Sequence, residues 1–131
     1  MPQKHLYEYA VIRIVPRVDR EEFINAGIIM FCKKENFLQT KIYFDKQRIK
    51  ILFPGIEDDH INHIQNQLIA FENICNGTAK NTAIARLDAP SRFRWLTAVK
   101  STIIQTSKVH PGLTENCQNT LDCIFKQMTG E

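Results

Sequence analysis

The chain has 131 residues, a formal charge of +3 and 44% hydrophobic residues, enough for a single domain spanning 1–131 with an apolar core that needs no disulfide or metal support. Its apolar runs are strand-length, as at Ile28 to Cys32, which excludes a helical membrane span of roughly 18 to 20 residues. The start lacks the apolar segment and cleavage site of a secretory leader, so a cytoplasmic location is expected, and Cys32, Cys75, Cys117 and Cys123, with no C-x-x-C pair, read as reduced, buried thiols.

Tyr7 to Val15 is dense in β-branched and aromatic residues and stops at Pro16, which lacks a ladder donor; it reads as a strand. Ile24 to Cys32 reads the same way. Both are apolar on both faces, so the sheet they form is expected to be covered on two sides, at least in part. The polar stretch 17–22 is long enough for an irregular hairpin connection. Phe37 to Phe44 alternates as a half-exposed strand, joined to its predecessor by a tight turn at Lys33 to Asn36, so an antiparallel meander is the simplest arrangement.

Beyond Pro54-Gly55, the residues Ile61, Ile64, Leu68, Phe71 and Cys75 recur at helical spacing from Asp58 to Cys75, with acidic residues in the first turn and Asn76-Gly77 as the stop. A short strand is expected around Ala83 to Leu87, a short helix over Arg92 to Val99 and a strand over Ser101 to Ser107. Cys117, Leu121, Ile124, Phe125 and Met128 line one face of a final helix of about three turns. The expected class is α+β, with a mixed, mainly antiparallel sheet of about four to five strands and two main helices.

Charge is uneven. From Gly77 to Thr114 six basic residues face one acidic residue, a local +5, whereas the rest of the chain carries eleven basic and thirteen acidic groups, −2. Such asymmetry suits an anionic partner, and equally a solvated face. Within this segment Arg92 and Arg94 flank Phe93 and precede the only tryptophan, Trp95. A forked guanidinium beside an aromatic platform suits a phosphate or a base, although two arginines two residues apart diverge by about 160° if the segment is helical. The plainer reading makes Trp95 a core anchor under snorkelling arginines. Ser101 and Gln105 would share one face of the following strand, lining a polar pocket or facing solvent. His110, fixed near a turn by Pro111-Gly112, is a candidate acid, base or donor.

Arg13 stands in the middle of an apolar strand and needs a partner, because desolvating a lone guanidinium costs several kcal/mol. Glu22, with Glu21, is the expected acid, Asn25 a further hydrogen-bonding group, and a ligand-facing Arg13 the alternative. A Cys117–His110 dyad is conceivable, but Cys117 lies on the apolar stripe. Asp59, His60 and His63 have metal-compatible spacing without a further nearby ligand, so no metal is expected. No phosphate-loop, dinucleotide, nucleophile-elbow or zinc-protease motif occurs, and no cofactor is expected.

The first block, YEYAVIRIVPRVDREEFINAGIIMFC, and the later block, RFRWLTAVKSTIIQTSKVHPGL followed by a helix, resemble the bacterial family called domain of unknown function 3037. Matching polar positions are Arg13, Glu22, Asn25 and Gly27, then Arg94, Trp95, Ser101, Gln105, His110 and Gly112. The resemblance implies, by genomic association only, an accessory or antitoxin-like partner of kinases resembling HipA toxins. The expected function is a noncatalytic binding module that recognises an anionic group, on a protein partner, nucleotide or nucleic acid, through Arg13, Glu22, Asn25, Arg92, Arg94, Trp95, Ser101, Gln105 and His110. The alternative is a small enzyme with His110 as acid or base and Arg13 and Arg94 holding an anionic substrate, which requires these groups to converge on one pocket.

Overall fold

A computed structural model of the chain describes residues 3–78, 82–100 and 102–131. Strand β1 (His5–Ile14) is central. On one edge it pairs with β2 (Ile24–Cys32), which in turn pairs with β3 (Phe37–Ile42). Its other edge is shared end to end by two short strands, β4 (Ile104–Thr106) against Ile12 to Ile14 and β5 (His110–Thr114) against His5 to Tyr9. All of these pairings are antiparallel, so the sheet is not mixed.

Ser107 joins the two short strands. Its backbone N–H donates to the Val11 carbonyl at 2.9 Å, and its hydroxyl accepts the buried Val11 N–H at 2.8 Å, a position where the ladder would otherwise be open. The expected strand over Ser101 to Ser107 therefore narrows to Ile104–Thr106, and Ser101 lies outside the described residues.

The described residues form four helices, not two. Helix α1 (Lys46–Leu52) follows Asp45, whose carboxylate accepts the backbone N–H groups of Gln47 and Arg48 at 3.0 and 3.4 Å. Helix α2 (Asp58–Asn76) carries two aspartates in its first turn and ends on Gly77 at φ 72°, a left-handed cap that suits glycine. Helix α3 (Ala89–Thr97) begins three residues before the expected Arg92, because the Asp88 carboxylate caps Ser91 N–H and Pro90 fits the first turn. Helix α4 (Cys117–Thr129) is capped by Asn116. The short strand expected around Ala83 to Leu87 is instead a 3-10 turn over Ile84–Arg86. No helix among the described residues is long and apolar enough to cross a membrane.

The doubly apolar strands are explained by two cores. Ala10, Ile12 and Ile14 of β1, with Ile29 and Phe31 of β2, pack under α1, α2 and α3 through Ile49, Ile64, Leu68, Phe93 and Leu96. On the opposite face Val11, Ile28, Met30 and Cys32 meet Cys117, Leu121, Ile124 and Phe125 of α4. A bulge interrupts the β1–β2 register: Ile12 stands opposite Gly27, but Arg13 opposite Asn25, leaving Ala26 as the extra residue. That shift turns Asn25 onto the α4 face beside Arg13. Gly27 is required here, because a Cβ on it would lie 2.3 Å from the Lys41 carbonyl oxygen of β3.

Candidate functional site

Arg13 sits at the bulge, on the α4 face of the central strand, with Asn25 beside it on β2 and Gln105 beside it on β4. Its guanidinium lies 4.2 Å from the centre of the half-exposed Phe23 ring, a cation–π contact. Among the described residues it forms no ion pair or hydrogen bond, and its Nε is buried without an acceptor. Asn25 donates its amide N–H to the Met128 carbonyl at 3.1 Å, helping to satisfy the C-terminal end of α4, while its Oδ1 is buried without a donor. Gln105 donates to the Thr102 carbonyl at 2.8 Å. The result is a half-buried cation on an aromatic ring, flanked by two amides, with one donor and one acceptor unmet. Buried polar atoms are overwhelmingly paired in folded proteins, so two orphans on cross-strand neighbours mark this spot. A planar guanidinium in such surroundings can hold a carboxylate or phosphate through its fork.

The expected Arg13–Glu22 ion pair does not form. A 3-10 turn at Val18–Arg20 and a left-handed Glu21 shape the connection, and Arg20 takes Glu22. Glu22 instead faces a cavity of about 480 Å³ whose lining also includes Pro16, Arg17, Phe53 and His60. Arg17 there is bonded to Asp19 at 2.8 Å.

Three cations of the +5 segment, Arg92, Arg94 and Lys100, are engaged within the fold, one by a carboxylate and two by backbone carbonyls. Because α3 is helical, Arg92 and Arg94 point apart. Arg92 donates to the Leu87 carbonyl at 2.6 Å and the Cys75 carbonyl at 3.4 Å, closing the end of α2. Arg94 makes a two-pronged pair with Glu8 at 3.2 and 3.3 Å, on the face of the sheet opposite Arg13. Lys100 donates to the Trp95 and Leu96 carbonyls at 2.8 and 3.2 Å and lies 4.1 Å over the Trp95 ring; burial lowers its pKa. Trp95 is 40% exposed and so is not the expected core anchor, a place taken by Phe93.

His110 is exposed, pairs with Tyr9 and rests its ring 5.3 Å from the tyrosine ring. Four residues of β1, roughly 13 Å at the rise of a strand, separate that level from Arg13. Arg13, Arg94 and His110 therefore do not share a pocket. The Cys117–His110 dyad fails as well: burial, then the neighbouring Cys32 thiol, pushes the Cys117 thiol up to about 12, so it is no thiolate near neutrality. Asp59 and His63 are exposed on α2, and among the described residues no group of three His, Cys, Asp or Glu side chains is placed to hold a metal ion.

Sequence reading named Arg13, Asn25 and Gln105 but missed Phe23, the platform, and Met128, the partner of Asn25. Phe23 had a signal, an aromatic residue closing a polar connection one position before an apolar strand. A family model described as "Protein of unknown function (DUF3037)" matches residues 9–129, nearly the whole chain. The chain belongs to the DUF3037 family. No curated protein and no solved structure matches it. In this DUF3037 chain Gly27 and Gly112 have packing roles: a Cβ at Gly112 would lie 2.4 Å from the Tyr7 ring, as one at Gly27 would strike β3.

Proposed function

We propose that this DUF3037 chain is a noncatalytic binding module that recognises an anionic group through Arg13, with Asn25 and Gln105 as flanking hydrogen-bonding groups. The observation that carries this reading is the lack of any acid or acceptor for the Arg13 guanidinium among the described residues, while Arg92, Arg94 and Lys100 are engaged within the fold. The anion-binding role thus moves from the basic later segment to the central strand. An accessory role beside a HipA-like kinase rests on the family resemblance alone, and a cytoplasmic location on the leader-free reading of the N-terminal residues. The enzymatic alternative has lost its geometric support, since His110, Arg13 and Arg94 are dispersed.

Titration calorimetry with inorganic phosphate, ATP and a single-stranded oligonucleotide at low and high salt tests the proposal. At least one probe is expected to bind, to weaken with salt and to lose about tenfold or more in affinity in Arg13→Gln. Affinity unchanged in Arg13→Gln but lost in Arg94→Ala would return the site to α3 and refute the assignment.

A further inference from the structure

On the face of the sheet opposite Arg13, α3 meets β1 at Glu8 through Arg94. Beyond it Leu6 and its cross-strand neighbour Leu113 are 59% and 65% exposed, side by side at the end of the sheet. Leu6 continues into a cavity of about 420 Å³ floored by the buried Phe31 and lined also by the exposed Pro90. Its rim carries Lys33 and Lys34, from the β2–β3 turn, and Arg94, against the single acid Glu8. Glu8 is already taken by Arg94, and the two exposed lysines form no ion pair among the described residues.

We infer that this groove is a docking surface for an acidic, leucine-like amphipathic segment of a partner protein, whose apolar side chains would seat on Leu6 and Leu113 and whose carboxylates would meet Lys33 and Lys34. Charge complementarity selects the sign: once Arg94 and Glu8 cancel each other, Lys33 and Lys34 remain as two unpaired cations. The apolar floor selects a peptide. Single-stranded nucleic acid uses exposed aromatic platforms, and the aromatic ring here, Phe31, is 7% exposed. A concave groove also does not fit a flat bilayer. Pro111 in the edge strand β5 removes a donor, so the segment lies on the sheet face and does not extend the sheet. The surface is separate from Arg13 and does not depend on the anion-binding proposal.

The test is an amide NMR titration of the whole chain with a synthetic peptide alternating leucine and glutamate, beside a leucine–lysine peptide, a serine–glutamate peptide, a single-stranded oligonucleotide and anionic lipid vesicles. The leucine–glutamate peptide is expected to shift Leu6, Phe31, Lys33, Lys34 and Leu113 selectively, with an apparent Kd raised about tenfold in K33E/K34E and in Leu113→Ser. These positions are exposed, and unchanged spectra elsewhere check that the variants fold. Arg13→Gln is expected to leave the peptide affinity unchanged. Equal binding of the leucine–lysine or serine–glutamate peptide, preferential binding of oligonucleotide or vesicles at these residues, no peptide-induced shift, or insensitivity to K33E/K34E would each overturn the inference.

Discussion

Replacing Arg13 with methionine should make the protein more stable while removing its ligand affinity. The Nε–H of Arg13 is buried and unpaired, and leaving such a donor unsatisfied costs about 1 to 3 kcal/mol. Methionine retains an apolar stem of similar length without that donor. What is lost is the contact of the guanidinium with Phe23 at 4.2 Å; over a half-exposed ring it contributes about 0.5 to 1 kcal/mol. The net expectation is a gain of about 0.5 to 2 kcal/mol. For 131 residues, unfolding entropy is roughly 0.28 kcal/mol/K, so Tm should rise by about 2 to 7 °C. Urea denaturation and calorimetry on both proteins provide the measurement, with the phosphate, ATP and oligonucleotide titrations run in parallel. Gain of stability with loss of binding is the signature of a residue retained for a ligand. A loss of more than about 1 kcal/mol would refute the reasoning, since it would mean that the guanidinium stabilises the fold itself.

Four further outcomes follow from the same geometry. Ser107→Ala strands the buried Val11 N–H and should cost about 1 to 3 kcal/mol, with faster hydrogen exchange at the Val11 amide by NMR. Gly27→Ala sets a methyl group against the backbone of β3 and should lower the urea midpoint well beyond the effect of an exposed substitution such as Gln39→Ala, which is expected within about 0.5 kcal/mol of the parent. In a thiol titration of the native protein the exposed Cys123 should react fast, and Cys32, Cys75 and Cys117 only on unfolding; burial foremost holds the thiols of Cys75 and Cys117 at about 12. The Asp45 carboxyl, held below 3.8 chiefly by the Arg48 N–H and then by Tyr43, and the Asp122 carboxyl, held down chiefly by Lys41, bind protons more weakly folded than unfolded. Their contribution is complete above the ordinary aspartate range and is lost as pH falls below it through the lower values of the folded state, so D45N/D122N should flatten the decline in urea midpoint between neutral and strongly acidic pH.

The elements legible in the sequence are those whose pattern is local. The β-branched runs of β1 and β2, the alternation of β3 and the helical spacing of Ile61 to Cys75 and of Cys117 to Met128 all emerge within two or three residues of their observed bounds. Helix α1 was missed because seven residues with one buried side chain, Ile49, give too short a period to detect. Strand β5 was missed because His110-Pro111-Gly112 has the composition of a turn; it is a strand because β1 offers it an open edge and the missing side chain of Gly112 leaves room for Tyr7. The site was half legible. Arg13, Asn25 and Gln105 stood out one by one, but their adjacency depends on the bulge at Ala26 and on strand pairings nearly a hundred residues apart. Counting charge pointed to the later segment without showing that its donors are engaged: Arg94 finds its carboxylate 86 positions away, and Arg92 and Lys100 donate to helix-end carbonyls.

The split outer strand has a bearing on biosynthesis. Because β1 is the middle of the sheet and the Val11–Ser107 bond spans 96 positions, a ribosome must add all the intervening residues after β1 before this strand gains its second neighbour. Until then a nascent three-stranded meander displays an unsatisfied flank rich in isoleucine and valine, available to chaperones or to another emerging copy.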